Sequence, residues 1–141
     1  DLVYTGAILH DIGKLDELET GELGIAGGYT THGQLVGHIS IGISRISAAC
    51  EMLGVPSETC MLVEHMLLAH HGQAEFGSPK LPMFPEAEVL AEIDLLDSKM
   101  YEMFDALEGV TVGAFSERQW ALDNRQIYRH GHGLIKKGES K

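Results

Sequence analysis

The 141-residue sequence predicts an all-α fold, and three observations carry that prediction. Apolar residues recur at three- and four-residue spacing through most of the chain, as one face of a helix requires. No segment alternates cleanly between apolar and polar, as a half-buried strand does. The breaks between periodic stretches fall at Gly and Pro. A hydrophobic fraction of 44% is ordinary for a globular protein, and this length buries a sizeable single core.

Taken in order, residues 2 to about 10 form a short apolar helix that stops at Gly13. A glycine-rich loop runs from Gly21 to Gly33, with Gly27-Gly28 at its centre. The next helix covers about 33 to 53, with Leu35, Ile39, Ile43, Ile46, Ala49 and Leu53 on its buried side. Gly54 and Pro56 end it, and Ser57 is placed to cap a third helix reaching about His71. Pro79, Pro82 and Pro85 follow, the last suited to the first position of a long helix from about 86 to 108. Ser116-Glu117-Arg118-Gln119 reads as a capping box opening a short final helix to about Asp123. The first helix has only about nine residues before its motif, so the chain reads as an N-terminally truncated fragment of a helical bundle. The body is expected over 1–129, its first helix incomplete, and a flexible basic tail over 130–141.

The net charge of −11 is unevenly spread. Residues 86 to 108 carry eight acids against one base, Lys99, whereas 118 to 141 hold six of the ten Lys and Arg. An acidic body repels polyphosphates, so any nucleic-acid substrate needs bound metal, the basic end or another domain to supply attraction. No apolar run approaches the roughly 20 residues of a membrane span. Asp1-Leu2-Val3-Tyr4 has no basic segment of a secretory signal. Cys50 and Cys60 make no disulfide framework, which suits a reducing cytoplasm.

The chemistry lies in His and Asp. His10-Asp11 opens the set, His38 and the doublet His70-His71 continue it, and Asp94 and Asp97 stand on the long helix. Imidazoles and carboxylates without thiolate suit a catalytic divalent ion such as Mn²⁺, Fe²⁺ or Zn²⁺ better than a structural zinc. On the third helix Val63, Met66 and Leu67 define the apolar stripe. His70 continues that stripe inward, His71 lies at its edge, and His65 falls nearly opposite in a structural position. On the long helix the stripe Val89, Ile93, Leu96, Met100 and Leu107 brings Asp97 closer to the core than Asp94. Periodicity therefore favours Asp97 as the inward carboxylate, with a role orienting a ligand histidine as the other reading.

His10-Asp11-Ile12-Gly13-Lys14, His38, His70-His71-Gly72 and Asp94 together resemble the HD superfamily of metal-dependent phosphohydrolases, an all-α fold. The stretches Leu35 to Ser40, Ala69 to Lys80 and Asp94 to Met100 resemble one subgroup more closely. It comprises the bacterial 3′–5′ exoribonucleases in which an OB domain precedes the HD domain. Arg118 and Leu122-Asp123-Asn124-Arg125 also resemble that subgroup's C-terminal end.

The resemblance implies His10, Asp11 and Asp94 as ligands of a primary metal. It implies His38 and His70, with Asp11 bridging, at a second position, and His71 beside it. Asp97 becomes a second-layer partner, and Lys14 a contact to substrate phosphate. A further ligand histidine is expected on a helix ahead of the His-Asp pair. One or two divalent ions follow as cofactor (Mn, Fe, Co, Ni or Zn, with Mn favoured). The implied activity is metal-dependent phosphodiester hydrolysis, a 3′–5′ exoribonuclease acting on single-stranded RNA. Asp11 and Lys14 are implied to carry the chemistry. For Arg118, Arg125 and Arg129 two readings stand side by side, a guide for the RNA strand and a solvated basic end. Two alternatives stand beside it: a nucleotide phosphatase of the same superfamily, and a non-catalytic metal- or nucleotide-binding regulatory module. No membrane partner is expected, and oligomerisation is left open.

Overall fold

Helix follows helix because the apolar spacing is helical, and glycine decides how closely those helices approach. The structure is a computed structural model and describes residues 1–21 and 24–132. The basic tail expected from residue 130 falls, beyond His132, outside the described residues. Five helices are described: α1 (Leu2–Leu9), α2 (Lys14–Glu17), α3 (Thr31–Leu53), α4 (Ser57–Ala69) and α5 (Pro85–Ala106). None is long and apolar enough to cross a membrane. Among the described residues the chain forms two compact units, Asp1–Ile93 and one from Asp94 onward.

In the first unit α4 is the central rod. Val63, Met66 and Leu67 are buried along one stripe, as the sequence predicts, and Ala69 and His70 continue it. Burying a side chain of the size of Met66 or Leu67 contributes about 2 kcal/mol relative to leaving it in water. Ile46 of α3 joins Val63 and Leu67, with Leu2, Leu9, Ile12, Ile43, Cys50 and Cys60 packed around them. Met66 meets Ala87 and Leu90 of α5. α1 reaches this core at Gly6, where a Cβ would collide with the Met66 side chain.

Between α2 and α3 runs a short antiparallel ribbon, β1 (Leu18–Thr20) just ahead of the predicted glycine-rich loop and β2 (Ala26–Tyr29) within it, with Leu18 opposite Tyr29. Its residues are almost all exposed, so no buried face imposed the alternation that reveals a strand in sequence. Thr30 then caps α3: its hydroxyl accepts from Gly33 N–H at 2.8 Å and donates to the Asp16 carbonyl at 2.8 Å.

Three expectations about the helices need correcting. α3 is kinked at Gly37 (φ 76°, ψ 152°), so the single stripe predicted along it fails: Leu35 is 81% exposed and Leu53 also faces out. Pro56, not Ser57, occupies the cap of α4, and no side chain bonds there. On α5 the buried residues are Ala87, Leu90 and Ala91, whereas Val89, Ile93 and Leu96 are exposed. Small alanines let the helix sit close, and Val89, Ile93 and Leu96 lie nearly opposite, whereas of the same predicted stripe Met100 is half-buried and Leu107, just past the helix, is buried. Pro85 does stand at the first position of α5.

In the second unit, Leu107, Leu122 and Ile127 form a small core. Ser116 does not cap a helix. It is buried, its hydroxyl accepts from Ile127 N–H at 2.9 Å, and isolated bridges join Phe115 to Tyr128 and Gln119 to Arg125. The expected final helix is only a 3₁₀ turn, Trp120–Leu122.

Candidate metal centre

The end of α1 delivers the first donors. His10 closes that helix with its N–H on the Gly6 carbonyl, and Asp11 follows in the turn before α2. Asp11 faces partners with both oxygens. Oδ2 is 2.7 Å from Lys14 Nζ and 3.4 Å from His10 Nε2, while Oδ1 is 3.7 Å from His38 Nε2 and 3.9 Å from His70 Nε2. Burial pushes the Asp11 carboxyl up, but hydrogen bonds from His10 and Lys14 and the Lys14 charge outweigh it. Its pKa lies well below the usual carboxylate range, and it is ionised at neutral pH.

The imidazoles form one group. The ring centroids of His70 stand 5.1 Å from His10, 5.7 Å from His38 and 4.1 Å from His71. Ligand atoms of His38, His70 and His71 all lie within 4.8 Å of one another. Each of three rings is oriented through Nδ1: His70 on the Leu67 carbonyl at 2.6 Å, His10 on the Ala7 carbonyl at 3.0 Å, and His38 on Glu17 Oε1 at 3.2 Å. A carbonyl can only accept, so Nδ1 carries a proton in His10 and His70, and in the neutral His70 ring the Nε2 lone pair is left facing Asp11.

The fit to a cation rests on atoms that hydrogen bonding leaves over. Asp11 Oδ1, His38 Nε2 and His70 Nε2 are buried and have no hydrogen-bond partner among the described residues. Orphaned buried acceptors cost free energy, about 1–3 kcal/mol each. Three of them turned toward one point suit a divalent ion, and these residues could hold one.

His70 is 1% exposed, and burial, reinforced by the charges of His71 and His10, lowers its pKa from the ordinary 6.5 to about 4 despite the Leu67 hydrogen bond and Asp11. It is therefore neutral at pH 7, the form that ligates. Below pH 6.5 the unfolded chain takes up a proton that the buried ring refuses, so folding weakens as pH falls from 6.5 toward 4. Thermal melts of the metal-free protein are expected to show that slope, and His70→Gln to reduce it. A wild-type midpoint unchanged over that window would contradict a neutral, buried His70.

His71 lies at the stripe's edge, half-buried, with its backbone N–H on Ser78 Oγ at 3.0 Å. His65 is structural: Nε2 accepts from Met83 N–H at 3.0 Å. In the second unit Asp94 is half-buried and Asp97 exposed, the reverse of the order that periodicity favoured. Arg118 donates to the Asn124 carbonyl at 2.9 Å, and Arg125 to the Leu122 carbonyl at 2.9 Å, so both brace their own hairpin. Arg129 braces the same unit through the Leu107 and Val110 carbonyls. Sequence reasoning missed Glu17 and Ser78, both buried against site histidines. Neither belongs to a periodic stripe or a motif with its own spacing, and Glu17 is one of several acids in its stretch.

Comparison with known proteins agrees with the family resemblance. The chain is 50% identical over 129 residues to the 3′–5′ exoribonuclease YhaM of Bacillus pumilus and 49% to that of Bacillus subtilis. It is 47% identical to that of Halalkalibacterium halodurans. Each alignment covers 92% of this chain, which spans about 40% of the length of these relatives. No solved structure matches. The profile of the HD domain matches residues 1–99, and the chain belongs to the HD-domain family.

Proposed function

We propose that this chain is the hydrolytic domain of a metal-dependent 3′–5′ exoribonuclease acting on single-stranded RNA. HD domains bind divalent metals, and the histidine cluster provides a place for one. The observation that carries the reading is the convergence of three buried, hydrogen-bond-orphaned atoms, on Asp11, His38 and His70. In this reading His10, Asp11 and Asp94 hold one position, and His38 and His70 with bridging Asp11 hold the other, His71 beside them. The metal is Mn²⁺ by preference.

The chemistry a divalent ion supplies in such a cradle is Lewis acidity toward phosphoryl oxygen and activation of water. The residues do the rest. His10, His38 and His70 present Nε2 because their Nδ1 atoms are already engaged. Lys14, with 43% of its side chain exposed beside Asp11, keeps a positive charge at the edge where a phosphate would arrive. Arg118 and Arg125 add positive charge along the strand, and Asp97 has at most a supporting part. The chain spans about 40% of these relatives' length, which leaves room for a further domain. In this reading that domain is of OB type and lies ahead of this one, and the protein is cytoplasmic.

The test is hydrolysis of a 3′-labelled oligoribonucleotide by the full-length protein after Mn²⁺ loading. Release of mononucleotides from the 3′ end is expected, and turnover of free nucleotides alone would favour a phosphatase instead. The 141-residue chain, with net charge −11, is expected to bind the oligonucleotide weakly and to lose it with added salt, unlike the full-length protein. Equal affinity of the two would place the RNA groove in this domain.

A further inference from the structure

Glu17 stands at the end of α2, buried, and a buried carboxylate is costly unless donors surround it. Both donors the structure gives it come from one residue. Glu17 Oε1 accepts from the backbone N–H of His38 at 2.9 Å and faces His38 Nδ1 at 3.2 Å. The first contact depends on the kink at Gly37. His38 begins the second helical run of α3, where backbone N–H groups lack partners within the helix and the dipole favours a negative charge. Gly37 adopts φ 76°, a left-handed conformation that glycine reaches without a side-chain clash.

The second contact sets His38 apart from its neighbours. His10 and His70 are oriented by neutral backbone carbonyls, those of Ala7 and Leu67, whereas His38 is oriented by a carboxylate. An ionised acceptor makes the stronger hydrogen bond, fixes the Nδ1–H tautomer and leaves a more basic lone pair on Nε2. That Nε2 is one of the orphaned atoms facing Asp11. Gly33 makes the approach possible, because a Cβ there would run into the Glu17 backbone, which α3 could not then reach.

We propose that Glu17 is a positioning residue for the metal centre: by accepting both N–H groups of His38 it holds that imidazole with Nε2 turned to the ion and strengthens it as a donor. The proposal rests on the metal-centre reading above and names a residue that neither the HD pattern nor the His/Asp pattern includes.

Titration of the metal-free full-length protein with Mn²⁺ alone tests it, alongside ¹⁵N imidazole spectra of the same protein without metal. Glu17→Gln keeps the size and an acceptor oxygen but loses the charge, and is expected to weaken Mn²⁺ binding by about 10–100-fold without lowering the thermal midpoint. Glu17→Ala is expected to weaken it further and to shift the His38 ring nitrogens from the Nδ1–H tautomer toward a mixture. Glu19→Gln, at an exposed position on β1, is expected to leave affinity unchanged. Wild-type affinity in Glu17→Gln together with an unshifted His38 spectrum in Glu17→Ala overturns the proposal. If Glu17→Ala does not fold, affinity and spectrum of the isosteric Glu17→Gln decide alone. If the wild type itself binds no Mn²⁺, the metal reading fails, while the spectrum still shows whether Glu17 orients His38.

Discussion

Asp11→Ala is expected to reduce hydrolysis to background, a loss of about 10²–10³-fold or more. The size of the effect follows from how many groups meet on this carboxylate. Its two oxygens face three imidazoles and one ammonium, Oδ1 toward His38 and His70, Oδ2 toward His10 and Lys14. Truncation therefore removes the one negative charge shown among these contacts and leaves the Lys14 ammonium without this partner. Metal content should fall with activity, and elemental analysis after Mn²⁺ loading measures that separately. Asp11→Asn, which keeps the shape, should be nearly as inactive if charge is what the ion needs. Asp97→Ala is the comparison. Asp97 is exposed on α5, so its loss should cost no more than about tenfold. Equal and complete inactivation by Asp11→Ala and Asp97→Ala would mean that the acidic ligand has been assigned to the wrong residue.

How far the sequence reveals such a site depends on whether the helix carrying each residue is uninterrupted. α4 is regular from Ser57 to Ala69, so a rotation of 100° per residue carries from Val63 and Met66 to His70 and puts it inside, where it is found. α3 is not regular. The kink at Gly37 turns the residues before it away from the stripe that follows, which is why Leu35 reads as core and is exposed. His38, immediately after the kink, was identified by its residue type and the family pattern and not by its face.

On α5 the error has a different origin. Weighting by side-chain size chose Val89, Ile93 and Leu96, but the buried face is built from Ala87, Leu90 and Ala91, and Asp94 continues it at i+3 from Ala91. The same misplaced phase exchanged Asp94 and Asp97. The ribbon β1–β2 left no periodic trace because it buries almost nothing, and Glu17 none because its role lies in a contact with a residue 21 positions away.

Gly13→Ala should be among the most damaging single changes in the first unit, although the residue carries no functional group. Its backbone is helical (φ −66°, ψ −21°), so no unusual conformation requires glycine there. The requirement is space. A Cβ on Gly13 would collide with the His38 carbonyl oxygen and come within 2.8 Å of the Gly42 backbone nitrogen. Both obstacles are main chain, which cannot rotate aside as a methionine end can. Overpacking of this kind costs about 1–3 kcal/mol where side chains can yield, and more should be lost where they cannot. Relief requires α2 to move off α3, and that movement separates Asp11 and Lys14, which flank Gly13, from His38. Stability and metal binding should therefore fall together, in contrast to Asp11→Ala, where the packing is untouched. Thermal melts of the metal-free variant and a Mn²⁺ titration read the two effects. A Gly13→Ala protein with the wild-type melting midpoint and wild-type affinity would show that the two helices tolerate a wider spacing, and that the close approach of backbone to backbone is not what brings Asp11 to His38.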